Sequence, residues 1–168
     1  LTKEKGLRLV RWNQFPDVLG RDALAILSVS GHAALWIRGE DEKFEQLKVF
    51  NEGRGQVLDL AFGPSFLGTI LGTASADGSI RIYEHNDFSL SATLSCAHGT
   101  ACSALAWDLT TGRPGLVAST GRNQLKVYRR DGNVEWFLEE IRHLAQAQDT
   151  ILHVAWSPRD AESPIFAA

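Results

Sequence analysis

Cysteine is scarce: Cys96 and Cys102 are the only two in 168 residues. Two thiols cannot build a disulfide framework, and they fit a reducing compartment in which they stay free. They also fall short of a zinc site, which needs about four ligands. His98 lies near them, but no second ligand pair at suitable spacing follows. Long hydrophobic runs are missing too, since none approaches the roughly 20 residues a helix needs to span a bilayer. No signal-peptide pattern opens the chain. An excess of one charge is also lacking. Formal net charge is −3 with acids and bases interspersed, so electrostatics gives no reason to invoke nucleic acid or an anionic membrane. Arg8, Arg11 and the pair Arg129-Arg130 are small basic groups, expected to be solvated loops or strand ends. Glu40-Asp41-Glu42 and Glu139-Glu140 argue against the continuous basic face that nucleic-acid binding would want.

What is present is an ordinary globular composition, 44% hydrophobic and 22% charged, in a chain long enough for one domain with a sizeable core. It begins at Leu1 and stops at Phe166-Ala167-Ala168, inside what reads as a strand, so a fragment is expected.

The organising feature is a hairpin that recurs. In Leu71–Tyr83 the small residues Thr73-Ala74-Ser75-Ala76 meet Asp77-Gly78, and Ile80, Ile82 and Tyr83 follow. The pattern predicts strand, tight turn, strand, with glycine accepting the positive φ. Ala25–Ile37 and Leu116–Tyr128 have the same form, and their closing aromatics, Trp36, Tyr83 and Tyr128, stand 47 and 45 residues apart. A second marker precedes each hairpin. Leu7–Trp12, Val57–Phe62, Cys102–Trp107 and Ile151–Trp156 all read as alternating strands ending in an aromatic, spaced 50, 45 and 49 residues. Pro64 and Pro158 follow Phe62 and Trp156, where a strand must stop.

A further strand falls between repeats: Gln46–Phe50, Ser91–Ser95 and a segment within Val134–Leu144. The last carries Phe137, Ile141, Leu144 and Ala145 at helical spacing; the register of the repeat nonetheless predicts a strand there. Four strands in roughly 45–50 residues are the content of a propeller blade. The expected fold is therefore all-β, a partial or open β-propeller of four-stranded blades with about three represented. As a single domain over 1–168, its blades are expected at about 7–50, 46–95 and 91–144, with the start of another at 151–168. Ala74 and Ala76 are expected to let neighbouring sheets approach, with Ile82, Tyr83 and Trp107 filling the space between.

No catalytic, cofactor or metal constellation stands out, and no site residue is assigned. His98 reads as a loop histidine bonded internally, His153 alternates within a strand, His32 sits in a turn, and His85 and His143 have no carboxylate at a recurring offset. Asp59 is the most tempting acid: burial would raise its pKa unless it is paired, and an exposed or hydrogen-bonded structural aspartate is the expected reading. Gly53-Arg54-Gly55 lacks the Lys-Ser/Thr and the following helix of a phosphate loop.

With these residues set out, the chain resembles the WD-repeat family. His98-Gly99 ahead of Ala104–Trp107 and Ser75-Ala76-Asp77-Gly78-Ser79-Ile80-Arg81-Ile82-Tyr83 match its recurring motif. Tyr83-Glu84 and Tyr128-Arg129 replace the terminal Trp-Asp pair, and Arg122-Asn123 replaces a turn aspartate, which puts the internal hydrogen-bond network in doubt. More narrowly, Leu58–Gly68, Leu125–Asn133 and Ala155–Pro158 are similar to the Seh-type propellers of the nuclear pore's Y-shaped scaffold, over roughly Val10 to Pro158. The Sec-type propeller shared with the COPII coat is the sister alternative, and a generic WD40 adaptor is another. The resemblance implies a non-enzymatic scaffold without cofactor, at the nuclear pore in the nuclear envelope. It implies an α-solenoid nucleoporin and other Y-complex subunits as partners, with no direct nucleic acid and no transmembrane segment. It extends to a nutrient-signalling complex at the vacuole or lysosome. Three blades do not close a ring, so flanking blades are missing or a partner supplies sheet.

Overall fold

The computed structural model describes residues 6–14, 22–50, 55–64, 69–84, 87–95, 100–108, 115–120, 124–132, 135–143, 151, 153–156 and 166–167. Among them every regular element is a strand. The first sheet is β1 (Leu7–Trp12), β2 (Ala23–Ser28), β3 (Ala33–Arg38) and β4 (Phe44–Phe50). The second is β5 (Val57–Phe62), β6 (Leu71–Ser75), β7 (Ser79–Glu84) and β8 (Ser89–Ser95). The third is β9 (Cys102–Asp108), β10 (Gly115–Thr120), β11 (Gln124–Asp131) and β12 (Glu135–His143). Each is an antiparallel meander with its strands in chain order, and none closes on itself. A short pair, β13 (Ala155–Trp156) and β14 (Phe166–Ala167), follows. The molecule is thus a partial WD40-type propeller, as the repeat requires.

Local chemistry sets the hairpins. Gly78 takes φ +79° and Gly31 takes φ +83°, values that cost a Cβ-bearing residue steric strain. Asp77 Oδ1 accepts the Ser79 N–H at 3.0 Å and Asp77 Oδ2 accepts from Arg81 at 2.8 Å, which pins the middle turn. Partial burial pushes the Asp77 carboxyl up, but the bonds from Arg81 and Ser79 outweigh it and hold it at about 2.

Two β-bulges recur at the same places. Between first and second strands the extra residue is Arg8, Leu58 or Ser103. Between third and fourth strands it is Leu47, Ser91 or Glu139. A bulge adds a residue without a partner and resets the alternation of faces. The segment with helical spacing contains one, so Phe137 and Ile141, four residues apart, fall on opposite faces of a strand. Trp136 and Leu138 lie opposite Arg130 and Tyr128, Glu139 is inserted, and Ile141 lies opposite Lys126. Period two is broken once, and the strand predicted there forms. Leu144 and Ala145 lie outside the described residues.

Packing runs sheet on sheet. Ala25, Leu27, Ala33, Leu35 and Phe50 meet Val57, Leu60, Phe62, Leu71 and Tyr83. Ala74, Ile80, Ile82 and Leu94 meet Cys102, Leu105, Trp107, Leu116 and Tyr128. Ala104, Leu125 and Val127 meet Ile151 and Val154. Ile82 and Tyr83 therefore serve opposite faces, and each large side chain buried contributes roughly 1.5–3 kcal/mol. Two expectations are corrected. Ala76 is an exposed turn residue, because the strand ends at Ser75, so only Ala74 serves close approach. Among the described residues of Ile151–Trp156, only Ala155 and Trp156 are strand; Ile151 and Val154 still pack on the third sheet.

Candidate docking surface

The aligned sheets allow position-by-position comparison. Leu7, Val10 and Trp12 of β1 correspond to Val57, Leu60 and Phe62 of β5 and to Cys102, Leu105 and Trp107 of β9. Leu24, Leu71 and Leu116 lie opposite the closing aromatics of those strands, and Trp36, Tyr83 and Tyr128 lie opposite those leucines in turn. In the second and third sheets these positions are buried against the preceding sheet. In the first sheet Leu7 is 67%, Val10 48% and Trp12 49% exposed, and Leu24 and Trp36 are half-buried. This face has the residues of a blade-packing face and no described sheet upon it.

Its chemistry can be read from its counterparts. Trp107 Nε1–H donates to the Ala61 carbonyl at 2.9 Å, and Trp156 Nε1–H donates to the Ala106 carbonyl at 3.1 Å. Ala61 and Ala106 are equivalent positions, so each landmark indole ties its sheet to the one before. Phe62 fills the same place without a donor. Trp12 instead sets its ring edge-on to Phe44, 6.0 Å between centroids.

Asp59 is a second inter-sheet tie. It is buried; Oδ1 accepts the Leu60 N–H at 2.9 Å and Oδ2 accepts the Leu105 N–H at 3.0 Å from the third sheet. Arg11 of the first sheet stands 3.7 Å away and donates Nε–H to the Leu60 carbonyl at 3.3 Å. Burial is the main influence and pushes the carboxyl up; the two amide bonds and the charges of Arg11 and His153 act against it. Asp59 thus links three sheets; of the two expected alternatives, exposed or hydrogen-bonded, the hydrogen-bonded one is found.

The positions that depart from the Trp-Asp motif have partners of their own. Tyr128 donates its hydroxyl to the Ser95 carbonyl at 2.7 Å. Arg130 bonds Glu84 at 2.5 Å, and Ser91 also donates to Glu84 at 2.8 Å. Arg129 meets fully buried Asp108 at 2.5 Å and Glu139 at 2.8 Å, with its guanidinium over the Trp156 ring. Of the places expected for Arg129-Arg130, solvated loops or strand ends, the strand end holds, near the end of β11, but their solvation is corrected. They are largely buried, and they join neighbouring elements because acids on β7, β9 and β12 face them. No local pattern marks this, since Glu84 and Asp108 lie 46 and 21 residues from their arginines along the chain.

The other singled-out residues stay apart. His32 is an exposed turn residue whose Nδ1 lies 3.0 Å from Ser30 Oγ. His143 ends β12, 3.3 Å from Gln124; His153 is exposed, and Cys102 is buried and in no disulfide among the described residues. Arg8 is exposed. His85, His98, Cys96, Gly53-Arg54 and Arg122-Asn123 lie outside the described residues. Among the described residues no cluster of His, Cys, Asp and Glu could hold a metal ion, and no helix is long and apolar enough to cross a membrane.

No family model matches the chain. It is similar to Nucleoporin SEH1 of Danio rerio, 31% identical over 121 residues, which is 64% of this chain and 33% of that protein. Nucleoporin SEH1 of Osmerus mordax is 27% identical over the same length and shares. Nucleoporin SEH1 of Homo sapiens is 31% identical over 106 residues, 54% of this chain and 29% of that protein. The chain spans about a third of the length of the curated relatives it matches. The resemblance to Seh-type WD-repeat nucleoporins, read from the residues, is borne out.

Proposed function

From this homology to Seh-type WD-repeat nucleoporins, we propose that the chain is a non-enzymatic scaffold element of the nuclear pore's Y complex. In this reading residues 1–168 form one partial propeller domain. It takes a blade inserted by an α-solenoid nucleoporin and so supports protein and mRNA transport through the nuclear envelope. The observation that carries it is the homology together with the exposed blade-packing face of the first sheet. An inserted blade would bury Val10, Trp12 and Trp36 and offer a main-chain carbonyl to the Trp12 indole, and an open sheet edge takes a strand by main-chain pairing. A vacuolar or lysosomal nutrient-signalling complex, a COPII-type coat and a generic WD40 adaptor are the competing settings.

The test is affinity isolation of the tagged chain from cells, with imaging of its location. A nuclear rim signal and recovery of an α-solenoid nucleoporin, lost on Val10→Glu/Trp12→Glu at unchanged melting temperature, support the reading. Recovery of coat or signalling subunits alone would replace it.

A further inference from the structure

We propose that Trp12 selects the sheet that docks on the first sheet's outward face: it admits an innermost strand with alanine, glycine or serine in the place of Ala61 and refuses one with a large side chain there. This deepens the docking reading above. It rests on the claim that another polypeptide's sheet covers this face, and not on the nuclear-pore setting. The occupant is a sheet because Val10, Leu24 and Trp36 spread over three strands of the face, and the matching residues of the second and third sheets are covered by whole sheets.

The rule comes from the chain's own interfaces. Arg11, Ala61 and Ala106 are equivalent, each standing just before its strand's landmark aromatic and turned toward the following sheet. Trp107 and Trp156 are met by the two alanines, whose carbonyls take the indole N–H. Phe62, which has no donor, is met by Arg11, whose guanidinium turns to the Leu60 carbonyl. Indole thus goes with a small residue, and phenyl with a large one. The indole lies close on the second sheet: a Cβ at Gly72, opposite Ala61, would stand 3.3 Å from the Trp107 ring, and one at Gly63 would stand 3.0 Å from it. A large side chain at Ala61 would overfill that space.

Trp12 is already set for the same contact. Trp107 lies edge-on to Trp136, 5.7 Å between centroids, as Trp12 does to Phe44 at 6.0 Å. Phe44 and Trp136 are equivalent, since they lie opposite Arg38 and Arg130, each two places beyond its sheet's closing aromatic. The fourth strand therefore holds both indoles in one pose. For Trp107 that pose delivers Nε1–H to a carbonyl of the sheet before, and Trp12 presents its Nε1–H to the same place in a docking sheet. A donor fixed in advance loses little freedom on binding.

The experiment takes its docking sheet from the protein itself. A second copy of residues 55–95, which include the second sheet, is joined through a flexible linker ahead of the full chain, and the Trp12 indole N–H is followed by nuclear magnetic resonance. With Ala61 in the copy, its exchange with solvent should slow about fivefold, as one hydrogen bond would give. Ala61→Arg in the copy should abolish the slowing. Adding Trp12→Phe to that arginine version should raise its melting temperature, as Phe62 packs where Arg11 stands. Equal slowing with alanine and arginine, or an arginine version that Trp12→Phe does not rescue, would overturn the proposal and leave sheet docking intact. If neither copy protects Val10 or Trp12, the docking reading falls and takes the proposal with it.

Discussion

The outward face of the first sheet and the matching faces of the second and third carry one residue pattern in two environments. Leu60 is fully buried and Val10, its counterpart, is 48% exposed. Trp107 has its inter-sheet acceptor and Trp12 meets Phe44 edge-on. A residue's worth in a stacked architecture is therefore set by the presence of a neighbour as well as by its own side chain, since stability is a sum of module and interface contributions.

The contrast can be broken by truncation. Leu60→Ala should cost about 2–5 kcal/mol, because it opens a cavity where the surroundings relax only partly. Val10→Ala should stay within about 0.5 kcal/mol, as for most exposed positions; urea unfolding measures both, and equal losses would mean the first sheet is covered in solution. Next in size is Asp59→Ala, which strips an acceptor from the Leu105 N–H and should cost about 1–3 kcal/mol. Asp59→Asn should cost less, since an amide oxygen still accepts. Smallest is Trp107→Phe, expected to lose about 0.5–1.5 kcal/mol with its single hydrogen bond, while Trp12→Phe is silent.

Titration sharpens the contrast through two aspartates of opposite sign. Asp59 is raised above 3.8, so the folded state holds its proton more tightly and Asp59 lowers stability as pH rises from 3.8 through that raised value. Asp77 is held at about 2, so its contribution is in place above 3.8 and is lost as pH falls through about 2. Urea midpoints across that acid range should flatten at the lower end in Asp77→Asn. In Asp59→Asn the downward trend above 3.8 should disappear.

The fold was legible because it depends on periodicity. Trp12, Phe62, Trp107 and Trp156 recur at spacings of 50, 45 and 49, and the aromatics closing the small-residue hairpins recur at 47 and 45, within the same period. The inter-sheet ties were not legible. Glu84 and Arg130, or Asp59 and Leu105, lie some 46 residues apart, and one blade's length says nothing about which side chain meets which. Bulges were hidden too: Glu139 carries no mark as an inserted residue. Ala76 shows the reverse error, a small residue assigned to close packing when its neighbour Ser75 already ends the strand.

The two inserted residues in every sheet have a consequence for assembly. Shifting one strand past its neighbour by a single place would turn a stripe of aliphatic groups into water and strand the insertion away from the spot where the chain bends. Each meander is thereby indexed at two heights, and its strands can zip in one alignment only. Three consecutive modules of closely similar text can then fold side by side without exchanging strands.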